Sequence, residues 1–207
     1  MYDQLIYDTA ISEGFNPTVA KLIVAQARLE SSNYGSNVFK CNNNMYGMKY
    51  VGQPLASRGT LAPSNEISSG CSPSGSGCQR TGVGNCKNGD FYAKYSSPAD
   101  SVRDVIQRLY KTTRKGIGFN ELNSATDSLS FATMLKQRDY YGFEPYGTSG
   151  ADREINSYSG GLKARLRLIN IIEWYKNNKN PINFAVIGVV LIGLTGYIYF
   201  LRKKLKN

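Results

Sequence analysis

Residues 25–32 read Ala-Gln-Ala-Arg-Leu-Glu-Ser-Ser, and residues 44–49 read Asn-Met-Tyr-Gly-Met-Lys. The first stretch brings an apolar run to an end on a glutamate; the second is a polar turn carrying a tyrosine. Ile23, Ala27 and Glu30 are spaced i, i+4, i+7, so in a helix Glu30 continues the apolar stripe. A carboxyl set against apolar walls holds its proton near neutral pH. That is the state required of an acid that protonates the leaving oxygen of a glycosidic bond.

The rest of the composition narrows the chemistry toward carboxylates. There is no histidine in 207 residues. Zinc peptidases and amidases recruit histidine ligands, and Ser or Cys hydrolases recruit a histidine base. Carboxylate chemistry needs neither, so no cofactor and no metal is expected. A second carboxylate is expected at Glu66, with Asp90, Asp139, Asp152 and Glu154 as rivals. On an N-acetylated sugar the substrate's own acetamido oxygen can act as the nucleophile, which makes a second carboxylate optional. Among 15 tyrosines, Tyr46, Tyr95, Tyr140, Tyr141 and Tyr158 fall in or near loops, as does Tyr146. Rings there can stack on sugar faces while their hydroxyls hydrogen-bond.

These residues have to be positioned by short helices. Residues 2–13 have a helical face ending at Gly14, and Asn16-Pro17 reads as an N-cap and first turn. The helix that follows carries Ala20, Ile23, Val24, Ala27 and Glu30. Residues 91–95 form a short extended piece, and Ser97-Pro98-Ala99-Asp100 caps a helix to about Thr112. Further helices are expected from Ser128 to Gln137 and from Leu162 to Asn177, with an aromatic loop over 140–150. Residues 57–89 turn to Gly, Ser, Asn and Cys without apolar periodicity, an irregular lobe. Cys41, Cys71, Cys78 and Cys86 are separated by 29, 6 and 7 residues, unlike common zinc spacings. In an oxidising compartment they would form two disulfides, with three pairings open. The fold class is mainly α, α+β, with a small irregular or β lobe.

Residues 182–201 are an uncharged run of 20, long enough to cross roughly 30 Å of hydrocarbon as a helix. The expected division is a catalytic domain over 1–175, a linker over 176–181, a transmembrane helix over 182–201 and a basic tail over 202–207. The cations of the tail favour a cytoplasmic C-terminus, which places the catalytic domain outside the cytoplasm. Residues 1–4 show no basic and apolar leader pattern. A C-terminal anchor on an external domain would suit a virion component assembled into a host membrane. The formal charge of +10 fits an anionic polymer or a membrane surface. No dense basic block points to nucleic acid.

At Ala25–Ser31 and Asn44–Lys49 the chain resembles glycoside hydrolase family 73, the mannosyl-glycoprotein endo-β-N-acetylglucosaminidase-like enzymes of autolysins, flagellar hydrolases and phage lysins. That family carries an Ala-Gln-Ala-x-x-Glu-Ser helix end and an Asn-x-Phe-Gly-x-Lys segment, where this chain has Tyr46 for the Phe. Phe91–Ser101, Met134-Leu135-Lys136, Tyr140-Tyr141, Tyr158 and Gly161-Leu162 extend the likeness over roughly 1–175. The resemblance implies a lysozyme-like helical domain with a small β lobe, Glu30 as general acid, and Tyr140 or Tyr141 as a substrate contact. Glu66 carries over only by spacing. The Cys/Gly-rich lobe and residues 142–157 depart from the pattern. The implied activity is cleavage of the β-1,4 bond in peptidoglycan glycan strands. A lytic transglycosylase, a non-catalytic saccharide-binding membrane protein and a holin-like protein are the alternatives.

Overall fold

A computed structural model describes residues 2–61 and 91–177 of the chain. The chain divides into two compact units, residues 1–167 and 168–207. Within the first unit, helix α1 (Tyr2–Ser12) ends as its sequence predicts. Gly14 sits at φ +95°, and the Phe15 amide reaches back to the Ala10 carbonyl at 3.1 Å, closing the turn as only a left-handed residue readily allows. Asn16 then accepts from the Val19 amide at 2.9 Å and starts α2 (Pro17–Glu30). Val19, Ala20 and every residue from Leu22 to Ala27 are buried, so α2 is enclosed on all sides rather than amphipathic. It is the centre of the core, with α1 packed on it and on α4.

After a short helix α3 (Asn37–Asn42) the chain forms a two-stranded antiparallel sheet, β1 (Ala56–Leu61) with β2 (Phe91–Tyr95). Ala56 pairs with Tyr95 and Leu61 with Phe91, with an irregularity after Arg58. Gly59 is required where α3 meets this sheet. A Cβ there would collide with the Asn42 side chain and come within 2.8 Å of the Tyr92 carbonyl. Asn42 instead bonds Thr60, side chain to side chain at 2.8 Å and from the Thr60 amide at 3.1 Å.

Ser97 caps α4 (Pro98–Val105), which passes directly into a π-helical turn, Ile106–Tyr110. The expected helix to Thr112 is therefore interrupted by a wider turn, closed by Lys111 N to Ile106 O at 2.8 Å. Helices α5 (Phe119–Asn123) and α6 (Ser128–Gln137) follow. The last helix, α7 (Ser149–Asn177), starts well before the expected Leu162. Thr148 opens it by accepting from the Ala151 amide at 3.2 Å, and the glycines Gly160 and Gly161 lie inside it rather than ahead of it. Residues 168–177 of α7 belong to the second unit.

The domain is thus mainly helical with one small sheet, in agreement with the α+β reading. Among the described residues no helix is long and apolar enough to cross a membrane. The run 182–201, the tail 202–207 and most of the lobe 57–89 lie outside the described residues.

Candidate active site

Glu30 is the last residue of α2, and the chain leaves the helix abruptly. Ser31 is buried; its hydroxyl donates to the Ala27 carbonyl at 2.6 Å and accepts from the Tyr34 amide at 2.9 Å. Ser32, Asn33 and Tyr34 all take positive φ, between 52° and 66°. Three non-glycine residues in that region store backbone strain of the kind found at functional sites. The turn is tied to α1 through Asp3, which accepts from Arg28 Nε at 2.9 Å and from the Tyr34 hydroxyl at 2.6 Å. The serine after the glutamate and the aspartate of α1 together fix where the carboxyl stands.

Glu30 itself is half-buried. Burial pushes its carboxyl above the ordinary glutamate value, while a hydrogen bond from the Tyr158 hydroxyl, 2.6 Å to Oε1, pulls the other way and does not overcome it. Among the described residues no cation pairs with it. Tyr46, Tyr140 and Tyr158 surround the group, and each hydroxyl is pushed up, first by burial, with the Glu30 charge adding to the shift. They are neutral donors at any working pH. The arrangement is a carboxyl with a raised pKa ringed by phenols.

Each phenol is placed by a different element. Asn44 builds the turn under Tyr46: its side chain donates to the Met48 and Ala93 carbonyls and accepts from the Met48 amide, all at 2.8–2.9 Å. Gly47 supplies the positive φ of that turn, at 65°. Tyr158 reaches Glu30 because α7 approaches α2 closely at Gly161, where a Cβ would stand 3.1 Å from Leu29 Cδ1. Tyr158 also stacks on Tyr141, with centroids 4.1 Å apart and planes 10° from parallel. Tyr140 and Tyr141 follow Arg138, whose buried guanidinium donates to the carbonyls of Leu109 and Tyr110 and to that of Thr112 at 2.6 Å. That bond set joins the end of α6 to the π-helical turn. Gln26, one turn before Glu30, accepts from the buried Tyr110 hydroxyl.

Glu30 opens into a cleft of about 410 Å³ whose walls include Tyr46, Met48, Arg108, Asp139 and Tyr140. Asp139 holds the positive φ of 55° that turns the chain into Tyr140. A hydrogen bond from Lys115, at 2.6 Å, and the charge of Arg114 hold its carboxyl below the ordinary aspartate value, so it is ionised. Arg108 has no acidic partner among the described residues and leaves the rim positive. The cleft therefore has two carboxyls shifted in opposite directions, Glu30 upward and Asp139 downward.

The structure thus brings Glu30, Tyr46, Tyr140, Tyr141 and Tyr158 together. Tyr95 does not join them: it is 1% exposed and donates to Asp104 at 2.8 Å in the core, and is withdrawn as a saccharide contact. Of the rival carboxylates, Glu154 is tied to Lys136 and to the Phe143 amide, while Asp152 lies exposed in the first turn of α7. Glu66 and Asp90 lie outside the described residues, as do Cys71, Cys78 and Cys86. Cys41 is disulfide-bonded. No group of ligands that could hold a metal ion occurs among the described residues. Arg138, Gln26 and Tyr110 were not among the expected site residues. A glutamine buried on the Glu30 stripe, one turn earlier, was the available signal for the last two.

Comparison with known proteins adds the family. A family profile described as Glucosaminidase, mannosyl-glycoprotein endo-beta-N-acetylglucosaminidase, matches residues 6–178. No curated protein matches the chain significantly. A solved structure of a type VI secretion system effector-immunity complex from Pseudomonas protegens has 14% identity and a TM-score of 0.47. That match covers 80% of this chain and 89% of the other. With the profile spanning Glu30, its phenol ring and the whole cleft, the chain belongs to the glucosaminidase family and is a glycoside hydrolase.

Proposed function

We propose that this protein cleaves the β-1,4 bond between N-acetylglucosamine and N-acetylmuramic acid in peptidoglycan, as an endo-β-N-acetylglucosaminidase. The observation that carries the reading is the Glu30 carboxyl: half-buried, without a cation partner and facing a cleft, in a chain of this family. Glu30 protonates the leaving oxygen. As that bond lengthens, positive charge grows on the sugar ring, and the substrate's 2-acetamido oxygen or a second carboxylate meets it. Glu66 is the first choice for that carboxylate; among its rivals, Asp139, ionised and on the cleft wall, is the one the geometry favours. Water then releases the sugar. The positive rim at Arg108 favours a strand whose peptide stems carry carboxylates.

The uncharged run 182–201 and the cations after it support anchoring in a membrane, with the catalytic domain outside the cytoplasm. That setting, in a virion membrane or a host envelope, would confine cleavage to wall close to the bilayer. The deciding experiment is digestion of purified peptidoglycan by the full chain, borohydride reduction and mass spectrometry. Reduced N-acetylglucosamine ends are expected. Anhydromuramyl ends would establish a lytic transglycosylase instead, and no release would establish a non-catalytic binding protein. Flotation with liposomes, comparing the full chain with one cut at residue 181, checks the anchor.

A further inference from the structure

A second recess, of about 600 Å³, lies beside the Glu30 cleft and shares Asp139 and Tyr141 with it. Its remaining wall includes Phe143, Pro145 and Tyr146. Phe143 is 101% exposed and Tyr146 47%. A phenylalanine ring with no packing forgoes the stabilisation of burial, and exposed apolar groups beside a cleft mark binding surface.

The loop that holds these rings out is not loosely attached. Glu154 accepts from the Phe143 amide at 3.0 Å and the Glu144 amide at 3.4 Å. Lys136, its side chain 3% exposed, pairs with Glu154 and donates to the Tyr141 carbonyl at 3.2 Å. Gly142 is required between them: it sits at φ +77°, and a Cβ there would strike the Glu154 carboxylate. Thr148 Oγ1 donates back to the Pro145 carbonyl at 2.9 Å. Phe143 is thus presented to solvent from a backbone held at both ends. Taking the ammonium of Lys136 out of water is a costly way to hold a loop that does nothing.

We propose that residues 142–146 form a distal subsite for the same glycan strand that is cut at Glu30, with Phe143 and Tyr146 stacking on the faces of sugars beyond the scissile bond. This rests on the peptidoglycan reading above. The occupant follows from continuity: a strand leaving the Glu30 cleft past Tyr141 and Asp139 runs directly into the recess. Sugar rings alternate apolar faces with hydroxyl edges. The site offers the matching pattern, aromatic faces with Lys115 and Glu144 among the polar groups of the same wall.

The test is binding of purified glycan strands of graded length to the full chain carrying Glu30→Gln, so that nothing is cut. Affinity should rise with strand length until the recess is filled. Phe143→Ala, added to that chain, should weaken the longest strands roughly threefold to tenfold and flatten the rise; Tyr146→Ala should act in the same direction, and Phe143→Trp should restore it. Unaltered length dependence in Phe143→Ala and Tyr146→Ala would overturn the subsite. So would self-association by ultracentrifugation that depends on Phe143 while strand affinity does not. Loss of the peptidoglycan reading is separately visible: the wild-type chain would then bind strands at the loop yet release no reducing ends.

Discussion

The Glu30 carboxyl is held above the ordinary glutamate value because burial penalises the charged form more than the Tyr158 hydroxyl favours it. Two outcomes follow at this one residue. Glu30→Gln should lower kcat by at least about a hundredfold, the range for loss of a general acid, with the circular dichroism spectrum retained. Its effect on stability has a definite sign. A carboxyl whose folded pKa is raised makes the fold most stable when protonated, and that stability is lost as pH rises through the folded pKa. Glutamine cannot ionise, so Glu30→Gln should raise Tm at pH 8. At about pH 3, below the ordinary glutamate pKa, the gain should vanish; calorimetry at the two pH values checks it. Tyr158→Phe keeps the ring stacked on Tyr141 but removes the hydrogen bond that favours the carboxylate. The alkaline limb of kcat/KM against pH should therefore move upward, and a downward move would show that the hydroxyl does not act on Glu30.

At the scale of elements, the approach of α7 to α2 decides whether Tyr158 meets Glu30. Gly160 and Gly161 are neighbours with opposite expectations. Nothing lies within 4 Å of a Cβ at Gly160, whereas one at Gly161 meets Leu29. Gly160→Ala should stabilise the protein by roughly 0.4–1 kcal/mol by restricting the unfolded chain. Gly161→Val should cost about 1–3 kcal/mol through overpacking and lower kcat as the helices part. Urea unfolding and a kcat measurement on both variants check the pair. Read as sequence, Gly160-Gly161 looks like a helix boundary because glycine weakens helices. The helix runs through them because contact between two helices outweighs a local propensity of about 1 kcal/mol. By contrast the ends of α1 and the starts of α2 and α6 were legible, since Gly14, Asn16 and, for α6, Asp127 act through bonds to backbone a few residues away.

For the molecule as a whole, the cleft is assembled from segments far apart in the chain: the end of α2, the turn at Asn44, the π-helical turn, the residues after α6, and α7. Tyr158 bonds Glu30 across 128 positions. Cys41, at the α3 end of this assembly, is disulfide-bonded, and a crosslink acts chiefly by limiting the unfolded chain. Reduction should therefore lower stability by about 2–5 kcal/mol, seen as a lower calorimetric Tm with reductant than without. An unchanged Tm would show that the crosslink does not support the fold.

That Glu30 would stand half-buried at the end of α2 was readable from local pattern alone, because it continues the apolar stripe of that helix. The absence of histidine, the helix caps and the aromatic character of the site were likewise present in the one-dimensional record. Which tyrosines face the acid was not: Tyr95 and Tyr140 look alike in sequence, yet one is bonded to Asp104 in the core and the other stands beside Glu30. Nor did spacing distinguish Glu154, committed to Lys136, from Asp139 on the cleft wall. Those choices depend on which side chains meet once the chain has folded, across 9 positions for Tyr95 and Asp104, 18 for Lys136 and Glu154 and 128 for Tyr158 and Glu30. Local propensity carries no information about such contacts, and only the tertiary structure decided them.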